Sequence, residues 1–368
     1  MMATDCPHAP LIDGKARAAF RRRLMAWYAR HARDLPWRRS RDPYRVWLSE
    51  VMLQQTTVAA VKPYFERFLA AFPTVEALAA ASEQQVLRCW EGLGYYRRAR
   101  SLHAAAKQIA GEHGGEFPRD VPGLMALPGV GRYTAGAILS IAFDKPAPIL
   151  EANTIRLWAR LVGYRDDPAK SAGQKRLWQA AEDILPVRQA ARFNQALMEL
   201  GALVCTPVAP KCPACPVARH CASLAQGLQA EIPPAARKVP FTALREAAVV
   251  VRKNGALLVR QCGPSERWAG LWDFPRFAIE AEAPRFVRAE LATKVRAQTG
   301  VEVDPGSLLV TLKHGVTRYR ITLECYEARA VGGRIRSATG RAVRWIPGVE
   351  LAELPLSVTG RKLAALVS

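Results

Sequence analysis

Leu127-Pro128-Gly129-Val130-Gly131-Arg132 stands at the head of the run Tyr133-Thr134-Ala135-Gly136-Ala137-Ile138-Leu139-Ser140-Ile141-Ala142-Phe143. Pro and Gly break the chain at 128–131, and the apolar residues that follow read as a helix. Two glycines let the backbone come close to a ligand. A helix opening directly behind them offers unpaired N–H groups to a phosphate. Such a grip takes no account of base sequence. A Gly-x-Gly turn alone is only a turn; the apolar segment before it makes this one a hairpin between two helices.

Outward from that turn, residues 15–227 read as helical. Phe20, Leu24, Trp27 and Tyr28 recur at helical spacing among arginines. Residues 44–72 read as two amphipathic helices with the break near Pro63. Asn153 is a good N-cap for a helix running to Val162 before Gly163. The pattern then changes. Ile232-Pro233-Pro234-Ala235-Ala236-Arg237-Lys238-Val239-Pro240 reads as a linker. Strand-like runs follow at 247–252, 256–260 and 319–328, with Asn254-Gly255 as a hairpin turn and a helix over 285–298 ending at Gly300. The expected fold is multi-domain: a disordered N-terminus (1–14), a mainly α domain (15–227), a linker (228–244) and an α+β domain (245–368).

The 368 residues carry a formal net charge of +21, which points to a polyanionic partner, nucleic acid before an anionic membrane. No apolar run is long enough to span a bilayer, and residues 1–10 do not read as a signal peptide. The expected location is the cytoplasm. In a reducing compartment, crowded cysteines point to metal rather than disulfides. Of eight cysteines, Cys205, Cys212, Cys215 and Cys221 form C-x6-C-x2-C-x5-C, stiffened by Pro207, Pro210, Pro213 and Pro216. Zinc and a [4Fe–4S] cluster both accept four thiolates. Zinc sites usually pair two C-x2-C knuckles, and only one is present.

Two carboxylates stand out. Glu50 lies in Ser49-Glu50-Val51-Met52-Leu53-Gln54-Gln55-Thr56, alone among apolar residues. Desolvation there raises its pKa and suits it to donate a proton. Glu151 lies in Ile149-Leu150-Glu151-Ala152-Asn153-Thr154, downstream of the hairpin. Breaking an N-glycosidic bond calls for such a pair: an acid for the leaving base and an anion for the oxocarbenium-like sugar.

Residues 34–221 resemble the MutY-type adenine DNA glycosylases of the helix-hairpin-helix superfamily. The matching strings are Leu35-Pro36-Trp37-Arg38, the Glu50 string, Gly92-Leu93-Gly94-Tyr95-Tyr96-Arg97, the hairpin string through Ala137, Phe193-Asn194-Gln195-Ala196 and the cysteine loop. The resemblance implies a helix-hairpin-helix over about 121–143 and a [4Fe–4S] cluster on the four cysteines of an iron–sulfur loop (205–221). It implies that Glu50 protonates adenine, that Tyr133 lines the catalytic pocket, and that Arg38, Leu53, Val58 and Gln195 surround the flipped base. Gln55, Leu93 and Tyr95 would fill or wedge the base stack, and Gly129 and Gly131 would hold phosphate. The implied partner is double-stranded DNA with A:8-oxoG or A:G mispairs, met by a monomer with no membrane association. A base inside a duplex is unreachable and must be flipped, at a cost of a few kcal/mol.

The chain departs from that family in places. Glu151-Ala152-Asn153 stands where the family has Asp-Gly-Asn, keeping the charge on a longer arm. Endonuclease III-type relatives carry a lysine at the place of Tyr133 that attacks the sugar and cuts the strand. A tyrosine cannot form that Schiff base, so base removal without lyase activity is expected. Gly270-Leu271-Trp272-Asp273-Phe274-Pro275 and the strands after it resemble the Nudix-like lesion-recognition domain of the same family. Lys294, Ala297 and Gln298 stand where Nudix hydrolases place Mg²⁺-binding glutamates, so binding rather than hydrolysis is expected of it. In Lys313-His314-Gly315-Val316-Thr317-Arg318-Tyr319, the segment matching the family's Phe-Ser-His hairpin, Thr317 keeps a hydroxyl, Val316 replaces the aromatic wedge and Arg318 the histidine. Two other readings stay open: a thymine or uracil mismatch glycosylase, and an iron–sulfur DNA-binding protein without catalysis.

Overall fold

The computed structural model describes residues 14–235, 240–337 and 340–367. The expected disordered N-terminus lies outside them except for Gly14, which opens the first helix, and so do residues 236–239 of the expected linker. Packing divides the chain into two compact units, residues 1–79 with 104–237 and residues 80–103 with 238–368. Chain order alone places 80–103 in the helical domain. Side chains explain the difference: Arg361 grips Glu91 through two bonds (2.7 and 2.9 Å), Gln84 accepts from the Trp272 indole at 2.8 Å, and Arg100 donates to the Ala269 carbonyl at 2.7 Å.

Among the described residues, twelve α-helices precede the first strand: α1 (Gly14–His31), α2 (Pro43–Leu53), α3 (Val58–Ala71), α4 (Val75–Ala80), α5 (Glu83–Trp90), α6 (Arg97–Glu112), α7 (Val121–Ala126), α8 (Arg132–Ala137), α9 (Ala152–Val162), α10 (Ser171–Ile184), α11 (Ala190–Leu203) and α12 (Ala222–Ala225). α8 continues into a π-helical turn, Ile138–Ala142. In the first unit, α1, α9, α10 and α11 bury Phe20, Leu24, Trp158, Leu177, Phe193 and Leu200 in one cluster. Phe20 stacks on Trp158 at 6.3 Å.

The helices depart from the sequence pattern at two places. Pro63 lies inside α3 rather than at a break. The chain turns at 54–57, where Gln55 takes a φ of +57° and Thr57 caps α3 by accepting from Ala60 N. Asn153 is not the cap of α9. Glu151 is: its two carboxylate oxygens accept from Asn153 N (2.9 Å) and Thr154 N (3.0 Å), while Thr154 Oγ1 accepts from Glu151 N at 2.8 Å. A carboxylate pairs well with the unsatisfied N–H groups and positive end of a helix, and this one outcompetes the amide two residues on. α9 ends as expected, on Gly163 at φ +65°.

The second unit holds a mixed sheet of β1 (Thr242–Lys253), β2 (Ala256–Gln261), β3 (Trp272–Asp273), β4 (Arg276–Ala278), β5 (Val301–Val316), β6 (Tyr319–Gly333) and β7 (Val343–Pro347), with α13 (Pro284–Thr299) and α14 (Val358–Val367). The main order is β3-β2-β1-β6-β5; β4 pairs with β1 and β7 with β2. β1 and β6 run parallel, from Thr242 beside Tyr319 to Arg252 beside Arg329. Alternate β1 residues feed opposite faces, as period-two geometry requires. Ala247, Val249 and Val251 pack with Val287, Leu291 and Val295 of α13. Ala248 and Val250 pack with Phe274 and with Leu363 and Ala364 of α14. Asn254-Gly255 forms the β1–β2 turn, both residues at positive φ. The long β5 has no clear signal in the sequence. It is an edge strand, largely unburied beyond Pro305 and shifted in register between Glu302 and Val310, which dilutes the alternation that marks a strand.

Candidate active site

α2, α8, α9 and α11 converge on a cavity of about 720 Å³ in the first unit. Eight of the expected site residues line it: Arg38, Glu50, Leu53, Gln55, Val58, Tyr133, Glu151 and Gln195. Their placement follows from local structure. Glu50 sits on α2, which opens with Asp42 as its cap and Pro43 in its first turn. Tyr133 is the second residue of α8. Glu151 is held at the head of α9 by the segment before it. A Cβ on Gly136 would meet the Pro148 carbonyl oxygen at 2.2 Å, so only glycine lets α8 lie this close to the stretch of chain that delivers Glu151.

The two carboxylates face the cavity in unlike surroundings. Glu50 is 4% exposed. Burial drives its pKa up; the Tyr133 hydroxyl bonded to Oε2 and the nearby Arg38 pull it down, while the charge of Glu151 pushes it up again, leaving it at about 7. Burial also holds the Tyr133 phenol well above its ordinary value, so it stays protonated and donates to Glu50. Burial raises the pKa of Glu151 as well, but two backbone N–H groups, Arg156 and the Thr154 side chain oppose that rise. The Glu151 pKa still ends above its ordinary value, and its charge is one of the terms that raise Glu50.

Sequence reasoning missed Glu199. It lies one turn beyond Gln195 on α11, fully buried, and lines the same cavity. Arg33 donates to it from Nε (2.7 Å), Nη2 (3.0 Å) and its backbone N (3.0 Å), and Arg38 from Nη2 at 2.7 Å. Burial pushes the Glu199 carboxyl up, but the arginines more than offset it and hold it at about 2. The missed signal is the one that marks Glu50, a lone acid in the apolar run Ala196-Leu197-Met198-Glu199-Leu200. The Gln195 amide oxygen accepts from the Tyr28 hydroxyl at 2.9 Å, which fixes its orientation.

The hairpin glycines lie between α7 and α8. Gly129 has a φ of +79°, and Gly131 is the N-cap of α8 with no atom within 4 Å of where its Cβ would stand. Leu93, Tyr95 and Thr317 fall in the other unit. Leu93 is buried after α5, Tyr95 is half-exposed at φ +50°, and Thr317 occupies the β5–β6 turn at φ +50°. The four loop cysteines line a small cavity with Leu157, Leu161 and Val204. The buried Arg160 anchors the loop, donating to the Thr206 and Ile232 carbonyls at 2.7 Å and approaching Cys205 Sγ at 3.4 Å. Arg156 bonds both the Cys205 carbonyl (2.7 Å) and Asn153 Oδ1 (3.0 Å), so α9 touches the cysteine loop and the cavity wall together.

A profile described as "HhH-GPD superfamily base excision DNA repair protein" matches residues 48–183, and one described as "NUDIX domain" matches 246–366. The adenine DNA glycosylase of Rattus norvegicus is 34% identical over 397 residues, spanning 94% of this chain and 77% of its own length. The chain belongs to the adenine DNA glycosylases. The adenine DNA glycosylase of Buchnera aphidicola subsp. Schizaphis graminum is 36% identical over 70% of this chain and 75% of its own. A solved thermostable thymine-DNA glycosylase superposes with a TM-score of 0.53 at 29% identity, covering 58% of this chain and 98% of that one. Adenine DNA glycosylases thus share a fold with an enzyme named for another base, and the cavity, rather than the fold, must select the base. Among the described residues, no helix is long and apolar enough to cross a membrane.

Proposed function

We propose that this chain excises adenine standing opposite 8-oxoguanine or guanine in duplex DNA, by hydrolysis and without cutting the strand. The observation that carries this reading is the carboxylate pair on one cavity, with Glu50 held near pH 7 and Glu151 capped by two backbone N–H groups. With adenine flipped into the cavity, the Glu50 proton passes to a ring nitrogen of the base. The N-glycosidic bond breaks and its electron pair leaves with adenine. Glu151 stabilises the sugar cation, water adds at C1′, and its proton returns to Glu50. Arg38 and Gln195, oriented by Glu199 and Tyr28, supply polar groups for the base edge.

Among the described residues, no lysine lines the cavity, and Tyr133 occupies the position beside Glu50. That supports simple hydrolysis over a Schiff-base route. Gly129 and the open face at Gly131 suit a backbone phosphate. Thr317 and Arg318 stand exposed at the tip of the β5–β6 hairpin, which supports a reading role for them at the oxidised base.

Cys205, Cys212, Cys215 and Cys221 would hold a [4Fe–4S] cluster. Among the described residues, no three His, Cys, Asp or Glu side chains are set to hold a single ion. The four thiols gather around one small apolar cavity, and thiolates in this number are the ligand set of such a cluster. Such a group would tie four points of the loop together, and Arg160 would sit beside one of its thiolates.

The test is a panel of duplexes with A opposite 8-oxoguanine, A opposite G, and T or U opposite G, each treated with alkali after incubation. Alkali-dependent breaks at adenine only are expected. Breaks only at T or U, or none on any duplex, would overturn the reading. Strand cleavage without alkali and a borohydride-trapped adduct would overturn its hydrolytic part.

A further inference from the structure

A strongly basic depression lies in the second unit, at the C-terminal end of α13. Its walls include Thr293, Arg296, Arg334, Arg336 and Ser337, and its volume is about 740 Å³. Among the described residues, the only wholly apolar side chain in its lining is Ala297, and no carboxylate or aromatic ring lines it. A nucleobase finds no slot there; a phosphate finds three guanidinium groups.

The depression is held by backbone. Arg336 N donates to the Thr299 carbonyl at 2.7 Å, satisfying one of the carbonyls at the end of α13. Gly300 has a φ of +74°, and a Cβ there would meet the Arg334 carbonyl oxygen at 2.3 Å and Arg336 N at 2.9 Å. A Cβ on Gly333 would meet the Gly300 carbonyl oxygen at 2.3 Å. The segment carrying Arg334 and Arg336 therefore lies directly on the helix end. Arg296 pairs with Glu302 at 3.2 Å, but both side chains are largely exposed and the pair is worth little. Among the described residues, no carboxylate pairs with Arg334 or Arg336. Lys294, Ala297 and Gln298 on the same helix bring no acid to oppose an anion.

We propose that this depression binds the sugar–phosphate backbone of duplex DNA, at a place remote from the hairpin tip. The inference rests on the proposed function, which supplies the duplex. Gly300 precedes β5, and Thr317 follows it. A 16-residue strand spans about 50 Å at about 3.3 Å per residue. Along one strand of DNA, at about 3.4 Å per phosphate, that distance is on the order of fifteen nucleotides. With the duplex running along β5, as the proposal has it, the contact falls on flanking DNA and carries no base preference.

The experiment measures the salt dependence of equilibrium binding for the full chain and for R334A/R336A. It uses a 40-base-pair duplex and a 12-base-pair duplex, each with a central A:8-oxoG pair. On the long duplex, the slope of log K against log salt should fall in magnitude by about 1.8, since each lost phosphate contact is worth about 0.9. On the short duplex the slope should not change, and R334K/R336K should restore it on the long one. An unchanged slope on the long duplex, or an equal loss on both, overturns the proposal. So does loss of inorganic pyrophosphate binding in R334A/R336A with no change on the long duplex. Adenine excision by the unsubstituted protein is read in the same tubes. Its absence would sink the proposed function, whereas excision with an unchanged slope would sink only this inference.

Discussion

The cavity of the helical unit and the sheet of the second unit keep different things. In the cavity two glutamates of the same intrinsic acidity meet different surroundings: Glu50 is buried against the Tyr133 hydroxyl, while Glu151 accepts from two backbone N–H groups, and the proposed acid and anion roles rest on that difference. The second unit matches a NUDIX domain over residues 246–366, and the sequence leads one to expect its scaffold without that domain's metal-binding acids. α13 stands where a Nudix helix would, yet it carries Lys294, Ala297 and Gln298. Lys294 donates to the Ala278 carbonyl at 2.7 Å and Gln298 to the Arg276 carbonyl at 2.9 Å, so these side chains staple the helix to the sheet. One region is specified by chemistry, the other by packing. A sheet packed on both faces keeps its fold whatever acids its surface carries, whereas the proposed reaction depends on the proton of a single acid, Glu50.

The largest effect that would sharpen this contrast is at Glu50. Glu50→Gln keeps the shape and removes the proton, and single-turnover excision should fall about 10³- to 10⁴-fold. The unsubstituted rate should be full below about pH 7 and fall tenfold per unit above it, as Glu50 ionises. A profile flat from pH 6 to 9 would break the assignment. The sign for stability runs the same way: a carboxyl with a raised folded pKa stabilises at low pH, and that contribution is lost as pH rises toward 7.

Next comes Glu199. Glu199→Gln leaves Arg33 and Arg38 without their anion and should destabilise the protein by about 3–5 kcal/mol, read as a lower denaturation midpoint. Because Glu199 is held at about 2, its contribution is present above the ordinary carboxylate range and is lost as pH falls toward 2. Acid unfolding of the variant should lack that share; identical acid unfolding would break the argument.

Glu151 should matter to chemistry more than to folding. Glu151→Gln can cap α9 through one amide oxygen where two carboxylate oxygens accept, so it should cost about 1 kcal/mol of stability while excision falls about 10²- to 10³-fold. Glu151→Asp should stay within tenfold of the unsubstituted rate; a collapse of activity would mean the longer arm is required. The smallest effect belongs to the second unit. Thr317→Ala or Arg318→Ala should change the ratio of rates on A:8-oxoG and A:G by up to about tenfold, the worth of one hydrogen bond. A drop as large as that of Glu50→Gln would erase the contrast.

Much of the cavity is legible in the chain itself. Glu50 and the cysteine spacing announce themselves locally, because an acid in an apolar run and four thiols within 17 residues are rare patterns with few physical uses. α13 and the Asn254-Gly255 turn are legible for the same reason: caps and tight turns are local. Tertiary structure alone decided the rest. Pro63 lies inside α3, and Glu151 took the cap expected of Asn153. Glu199 became part of the site only when α11 brought it to Arg33 and Arg38, more than 160 residues away. The raised pKa of Glu50 is the clearest case. Its residue type and apolar neighbours are written in the sequence, but the Tyr133 hydroxyl and the charge of Glu151 reach it from α8 and α9, and no local pattern encodes that meeting.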